Sequence, residues 1–312
     1  MTLSVLLFLA GALLLYAGAE GLVRGSIILA KALGIRPIVI GLTVVAFGTS
    51  APEFIVSLVS AIAGSSDIAL GNVVGSNIAN IGLILGIAAL LRPVDIDTHL
   101  LSRYFPVMFV SSVLLYVFAL GDSIRFFQGV FLLIGIIAFT WYLIRQNRKI
   151  QDYDSAELPV SSRDDRIKIV HVVMVIGGVG LLVSGSHLMV ESGVTIARAL
   201  GVSEFAIGIT LVAVGTSLPE LAASIVAVLK KNTGIIIGNI IGSNIFNVLF
   251  VVGGVSAIHP ILVNVSARVY ELPVMIAFTI ILFVFMRTGF VINRTEGVVL
   301  LVVYIVFIMF LF

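Results

Sequence analysis

Two glutamates lie in the middle of apolar runs, and the same hydroxyl residues frame each of them. Thr49-Ser50-Ala51-Pro52-Glu53 belongs to GLTVVAFGTSAPEFIVSL, and Thr216-Ser217-Leu218-Pro219-Glu220 belongs to GITLVAVGTSLPELAASI. A second pair, GNVVGSNIAN from Gly71 to Asn80 and GNIIGSNIFN from Gly238 to Asn247, keeps the same 167-residue offset without a gap. Of these 28 aligned positions 17 are identical, including every Gly, Thr, Ser, Asn, Pro and Glu. On a helix Thr49 and Ser50 stand four and three residues before Glu53, on its face, and Ser76 shares a face with Asn80. Ser243 and Asn247 repeat that relation. Hydroxyl, amide and carboxylate oxygens together suit hard cations such as Ca²⁺ or Na⁺. A charge at mid-membrane costs at least ~2.5–3.5 kcal/mol, and neither run offers a Lys or Arg at that depth. Protonation or a bound cation is what remains.

Each motif also has a purely structural reading. Pro52 and Pro219 lack an N–H and loosen the preceding turn, so each glutamate could be a protonated residue at a kink. The same loosening would turn the carbonyls of Ala46 and Ala213 toward a site, since broken helices are tolerated at membrane depth where they line one. Gly71 and Gly75, like Gly238 and Gly242, have the spacing of a close helix contact. That reading leaves Asn72, Ser76, Asn77 and Asn80 unexplained. Asn72 and Asn239 could lock one helix to another or serve the site. The polar residues repeat more faithfully than the apolar ones around them, which favours function over packing.

The elements that must position these residues are membrane spans. The 312 residues are 60% hydrophobic and 11% charged, against about 25% charged for soluble domains. Cysteine is absent, which removes disulfide and thiolate chemistry. A span needs about 20 mostly apolar residues, and candidates fall near 3–23, 37–63, 68–91, 104–120 and 126–145. The second half supplies 170–190, 204–229, 235–258, 270–287 and 295–312. The N-terminal candidate at 3–23 reads as a retained span, since it lacks the basic start of a cleaved signal peptide. An all-α polytopic protein of ten helices is expected, with residues 1–145 as the first five-helix repeat, 146–168 as a solvated linker and 169–312 as the second repeat.

Lysine and arginine orient the spans. With the N-terminus outside, the odd-numbered connections hold 15 basic residues, and the opposite side holds only Arg125, Arg198 and Arg268. Both termini are then external and the linker cytoplasmic. An odd number of spans per half inverts the second repeat relative to the first. Such repeats meet around a midplane site in many secondary transporters.

The paired GTSxPE and GNxxGSNxxN motifs, in two halves of five spans, closely resemble the cation/calcium antiporter superfamily, in particular its sodium/calcium exchanger branch of prokaryotic type. The resemblance covers nearly the whole chain. It implies Ca²⁺ and Na⁺ as transported ions, no resident cofactor, and alternating access in which spans one and six slide against a core. It also carries ion-binding roles to Ala46, Thr49, Ser50, Glu53, Ser76 and Asn80, and to Ala213, Thr216, Ser217, Glu220, Ser243 and Asn247. Many sodium/calcium exchangers have an aspartate where this chain has Asn247. The proton-coupled branch typically has a glutamate where this chain has Gly75 and Gly242.

Two rival classes are weaker. A channel gathers its selectivity ring from several subunits, whereas here one chain builds a two-fold site, so a monomer suffices for function. An intramembrane enzyme finds no HExxH, no Ser/His/Asp arrangement and no nucleotide motif, and nothing in the sequence points to nucleic acid. Proton or potassium coupling is the alternative within the antiporter class. Expected partners are Ca²⁺, Na⁺ and the lipid of the cell membrane. Glu20, aligned with His187, is expected at the interface and not as a ligand.

Overall fold

In a bilayer every backbone N–H and C=O must find its partner inside the chain, so the long apolar runs have to close as helices. The computed structural model describes residues 2–154, 169–200 and 215–311. Their helices group into ten spans. In the first half these are α1 (Thr2–Leu33), α2 (Pro37–Ile62), α3 (Ser66–Leu91), α4 (Leu100–Ala119) and α5 (Phe126–Asp154). In the second half they are α6 (Ile169–Ala199), α7 (described over Leu218–Leu229), α8 (Thr233–Ile258), α9 (Ala267–Arg287) and α10 (Arg294–Leu311). Eight of these, all but α7 and α10, are each long and apolar enough to cross a membrane among the described residues. Helix α5 takes up the first residues of the expected 146–168 linker, through Asp154; the rest of it, 155–168, and the start of span seven, 201–214, fall outside the described residues.

Three spans are longer than hydropathy suggests, and α5, with 29 residues, continues to Asp154 past its expected end at 145. α1 has 32 residues and α6 has 31, about 48 Å of helix at ~1.5 Å per residue, against a hydrocarbon core of ~30 Å. Arg24 and Lys31 therefore ride on α1, as Glu20 does, and not in a connection. Charge ended the apolar run without ending the helix, because Glu, Arg and Lys are good helix formers. Gly34, with φ +64°, ends it.

Short strands at the helix ends reveal how the halves are related. β1 (Val94–Asp95), after α3, pairs antiparallel with β4 (Val291–Ile292), after α9. β2 (Ser123–Ile124), after α4, pairs with β3 (Ile261–Leu262), after α8. The connection after α3 thus shares a face with the one after α9, and not with its own twin after α8. Repeats of like orientation would put the twins together, so these are inverted. Other contacts sort the same way. Arg36 pairs with Asp97 at the β1 end, while Asp67 accepts from Asn264, and Asp122 from Arg268, at the other.

Small residues set the packing. α1 and α6 run antiparallel in backbone contact: a Cβ on Gly18 would meet the Gly178 carbonyl at 2.7 Å, and one on Gly185 would meet the Leu15 N–H at 2.7 Å. α2 and α8 touch likewise, since a Cβ on Gly238 would lie 2.6 Å from the Ile38 carbonyl. Gly238 and Gly242 are thus the close contact their spacing suggested. The stretch that would face Gly71 and Gly75 by symmetry belongs to 201–214. Of the eight membrane-length spans α8 is the most enclosed, 94% buried along its apolar stretch against 22% for α1. The polar motifs of α3 and α8 consequently sit at the centre of the molecule.

Candidate ion-binding site

Each motif-bearing helix is interrupted where its polar residues lie. In α2 a π-helical turn spans Gly41–Val45, and the helix breaks at Ser50 (φ −82°, ψ 0°) and restarts at Ala51 with Pro52 in its first turn. α7 breaks identically at Ser217 (φ −87°, ψ 2°) ahead of Pro219. α3 and α8 each pass through a π-helical turn that starts at an asparagine, Asn80–Leu85 and Asn247–Val252. Such turns recur at functional sites because they displace one residue from the helical pattern. Glycines let α6 approach both breaks: a Cβ on Gly48 would strike Val179 at 2.6 Å, and one on Gly215 would strike Val190 at 2.5 Å.

The two repeats interlock at these breaks. Thr49 on α2 reaches across to α8, 3.3 Å from Ser243 Oγ and 3.3 Å from Asn239 Oδ1. Thr216, beside the α7 break, reaches to α3 and donates to Asn72 Oδ1 at 2.9 Å. Ser217 donates to Ser76 Oγ at 3.2 Å, and Ser76 Oγ stands 3.5 Å from both Glu53 Oε1 and Thr216 Oγ1. Thr49, Thr216 and Ser217 of the two breaks are thereby each held by an amide or hydroxyl of the other repeat. Glu53, Glu220 and all eight hydroxyl and amide residues singled out with them are buried, none more than 8% exposed.

Asn72 and Asn239 do both of the things weighed for them. Asn72 Nδ2 donates to Ser57 Oγ at 3.0 Å and reaches the Glu53 carbonyl at 3.3 Å, tying α3 to α2 just past the break, while its oxygen takes the Thr216 hydroxyl. Asn239 repeats this with Ser224 at 3.2 Å and the Glu220 carbonyl at 3.5 Å. Ser57 and Ser224 are the supporting residues that sequence reasoning passed over. Both stand inside the repeated motif as identical twins, which was the signal available. The Ala46 carbonyl is buried, but it is not orphaned: it accepts the Ser50 N–H at 2.9 Å and the Thr49 hydroxyl at 3.4 Å. The carbonyl that loses its helical donor to Pro52 is that of Gly48, four residues earlier. Ala213, named as the twin of Ala46, lies outside the described residues.

Polar atoms left over mark what the arrangement can do. Ser50 Oγ, Glu53 Oε2, both Glu220 oxygens, Asn80 Oδ1 and Asn247 Oδ1 are buried oxygens without a hydrogen-bond partner, as is the Asn80 amide nitrogen. A buried unsatisfied polar group costs about 1–3 kcal/mol, and more if charged. Several together at one place call for a cation that all of them can share. Among the described residues, no three His, Asp or Glu cluster as in a transition-metal centre. Arg36 pairs with Asp97, and Lys230, just past α7, pairs with Glu20 on α1. Two acids amid neutral oxygens make a hard-cation site. Glu20 is accordingly a partly exposed ion-pair partner of the α7 terminus, apart from the buried acids. Its counterpart His187 lies 3.4 Å from Glu191 and lines a cleft of about 380 Å³ with Pro52, Ile55, Val56, Ser186 and Thr216. That cleft follows the second half of α2 and reaches the site at Thr216.

Comparison with known proteins gives these features a lineage. The sodium/calcium exchanger protein family matches residues 3–145 and again 170–312. The chain is 38% identical to the putative antiporter CaxA of Alkalimonas amylolytica, covering 98% of this chain and 97% of that one. It is 34% identical to the sodium/calcium exchanger MaX1 of Methanosarcina acetivorans, over 100% and 99% of the two. A solved structure of the sodium-calcium exchanger NCX_Mj superposes with a TM-score of 0.86 at 31% identity, covering 100% of this chain and 99% of that one. The chain belongs to the sodium/calcium exchanger family.

Proposed function

We propose that this protein exchanges Ca²⁺ for Na⁺ across the cell membrane by alternating access, through one midplane site to which both inverted repeats contribute. The observation that carries this reading is the set of six unpaired buried oxygens around Glu53 and Glu220, held by hydroxyls that cross between repeats. The ligands of the first half are the Ala46 carbonyl, Thr49, Ser50, Glu53, Ser76 and Asn80. Those of the second are the Ala213 carbonyl, Thr216, Ser217, Glu220, Ser243 and Asn247. Two carboxylates balance one Ca²⁺ in charge. Na⁺ ions take the same place by drawing on neutral oxygens, so the two ions compete and binding of one drives release of the other. The ions are substrates, no cofactor resides in the protein, and no covalent chemistry is performed.

The repeats divide as 1–145 and 169–312, joined by a cytoplasmic linker at 146–168, with both termini outside and one chain sufficient for transport. The His187 cleft then leads to the outside. Reconstituted into liposomes, the protein is expected to take up Ca²⁺ when an outward Na⁺ gradient is imposed, and little when a pH or K⁺ gradient is imposed alone. Equal uptake under the pH gradient would move it to proton coupling. Ca²⁺ flux indifferent to every counter-ion would make it a channel.

A further inference from the structure

An asparagine facing a cation has two ends of opposite character. Its oxygen binds, its amide nitrogen repels, and the two fill the same space, so a partner must decide which end points inward. Asn247 has such a partner: its Nδ2 donates to Asn77 Oδ1 at 3.1 Å, and its own oxygen is left unpaired in the site. Asn77 cannot exchange roles without loss, because its Nδ2 is directed at the Asn244 carbonyl (3.4 Å) and the Met275 sulfur (3.5 Å). Both asparagines are fully buried, so no water competes. The mirror pair in the other repeat is built differently. Asn244, the twin of Asn77, turns its Nδ2 back onto the Ile240 carbonyl of its own helix at 2.7 Å. Asn80, the twin of Asn247, has neither side-chain atom paired.

We propose that Asn77 is a positioning residue that holds the Asn247 oxygen toward the ion, making one half of an otherwise symmetric site rigid while Asn80 stays free to turn. The inference rests on the exchange reading above and deepens it. It has a consequence that a merely structural asparagine would not have. An acid at position 247 has oxygen on both arms and needs no orienting, and the Asn77 oxygen would then face another oxygen. The effect of losing Asn77 should therefore reverse with the residue it holds.

The test is a double-mutant cycle on reconstituted protein, with N77L, N247D and the two combined, read as the Na⁺ and Ca²⁺ concentrations that half-saturate exchange. N77L alone is expected to raise half-saturation by about three- to tenfold, the worth of one buried hydrogen bond. In the N247D background it should leave half-saturation unchanged or lower it. The same factor in both backgrounds, for both ions, overturns the proposal. The mirror cycle, N244L with N80D, should show no coupling, and coupling of equal size there overturns the asymmetry. If N77L melts well below wild type in detergent, N77A takes its place, since it removes the acceptor without adding bulk. Wild-type Na⁺-driven uptake and its loss in E53Q are measured alongside. Their absence would mean that the exchange reading has failed and taken this one with it, whereas their presence without coupling sinks the role of Asn77 alone.

Discussion

At the scale of single residues, Glu53 and Glu220 bring two acids into a place where even one costs at least ~2.5–3.5 kcal/mol. Ser76 stands beside Glu53, yet one oxygen of Glu53 and both of Glu220 keep no hydrogen-bond partner. Glutamine has the same shape with one oxygen and no charge, so it can fill the space but cannot offset the desolvation of a divalent ion. E53Q and E220Q are each expected to reduce Na⁺-driven Ca²⁺ uptake to background while the purified protein keeps its gel-filtration profile. E20Q should be far milder, because Glu20 pairs with Lys230 at a partly exposed helix end. Near-normal flux in a well-folded E53Q or E220Q protein would refute the shared site. These acids and their hydroxyl neighbours were legible in the sequence because duplication repeats what a site needs and lets apolar neighbours drift. The Asn77–Asn247 pairing was not, since it breaks the duplication. So was the carbonyl of Ala46 less legible than it looked: a proline removes the donor for the residue four earlier, which is Gly48.

Among elements, the broken α2 and α7 and the π-turns of α3 and α8 supply the geometry, and close glycine contacts hold them in place. Proline foretold the breaks. Nothing in the apolar runs foretold the π-turns, because one extra residue per turn leaves no mark on hydropathy. The ends of α1 and α6 were misjudged for a related reason, as hydropathy reports where lipid ends and not where hydrogen bonding ends. Glycine contacts can be tested by position on one helix. Gly178 lies against α1, where a Cβ would meet the Leu22 N–H at 2.6 Å, whereas Gly177 and Gly180 have no atom within 4 Å of theirs. G178A should lower stability by about 1–3 kcal/mol, the usual cost of overpacking, and slow exchange. G177A and G180A should match or slightly exceed wild type, since alanine favours a helix over glycine. Thermal melts in detergent would check this, and an unperturbed G178A would show that α1 and α6 are not in backbone contact.

For the molecule as a whole, the pairing of β1 with β4 and β2 with β3 sorts the connections into two ends. The sequence reached the same arrangement by a different route, through an odd number of spans per half and a lopsided distribution of basic residues. Sorting by strands does not say which end faces the cytoplasm; the basic residues do. Arg36, Lys231, Arg287 and Arg294 neighbour the β1–β4 end, and by the positive-inside rule that end is expected to be internal. Introduced cysteines report the facing of each end without background, because the chain has no cysteine of its own. Asp95 on β1 and Leu262 on β3 are both exposed, at opposite ends. In intact cells an impermeant thiol reagent should label L262C and spare D95C, and D95C should become reactive only after the membrane is opened. The reverse pattern would place the termini inside and turn the His187 cleft toward the cytoplasm, leaving the site intact and its facing inverted. Labelling of both from outside would contradict the inverted repeats themselves, since β1 and β3 occupy equivalent positions in the two halves and only inversion separates them by the thickness of the membrane.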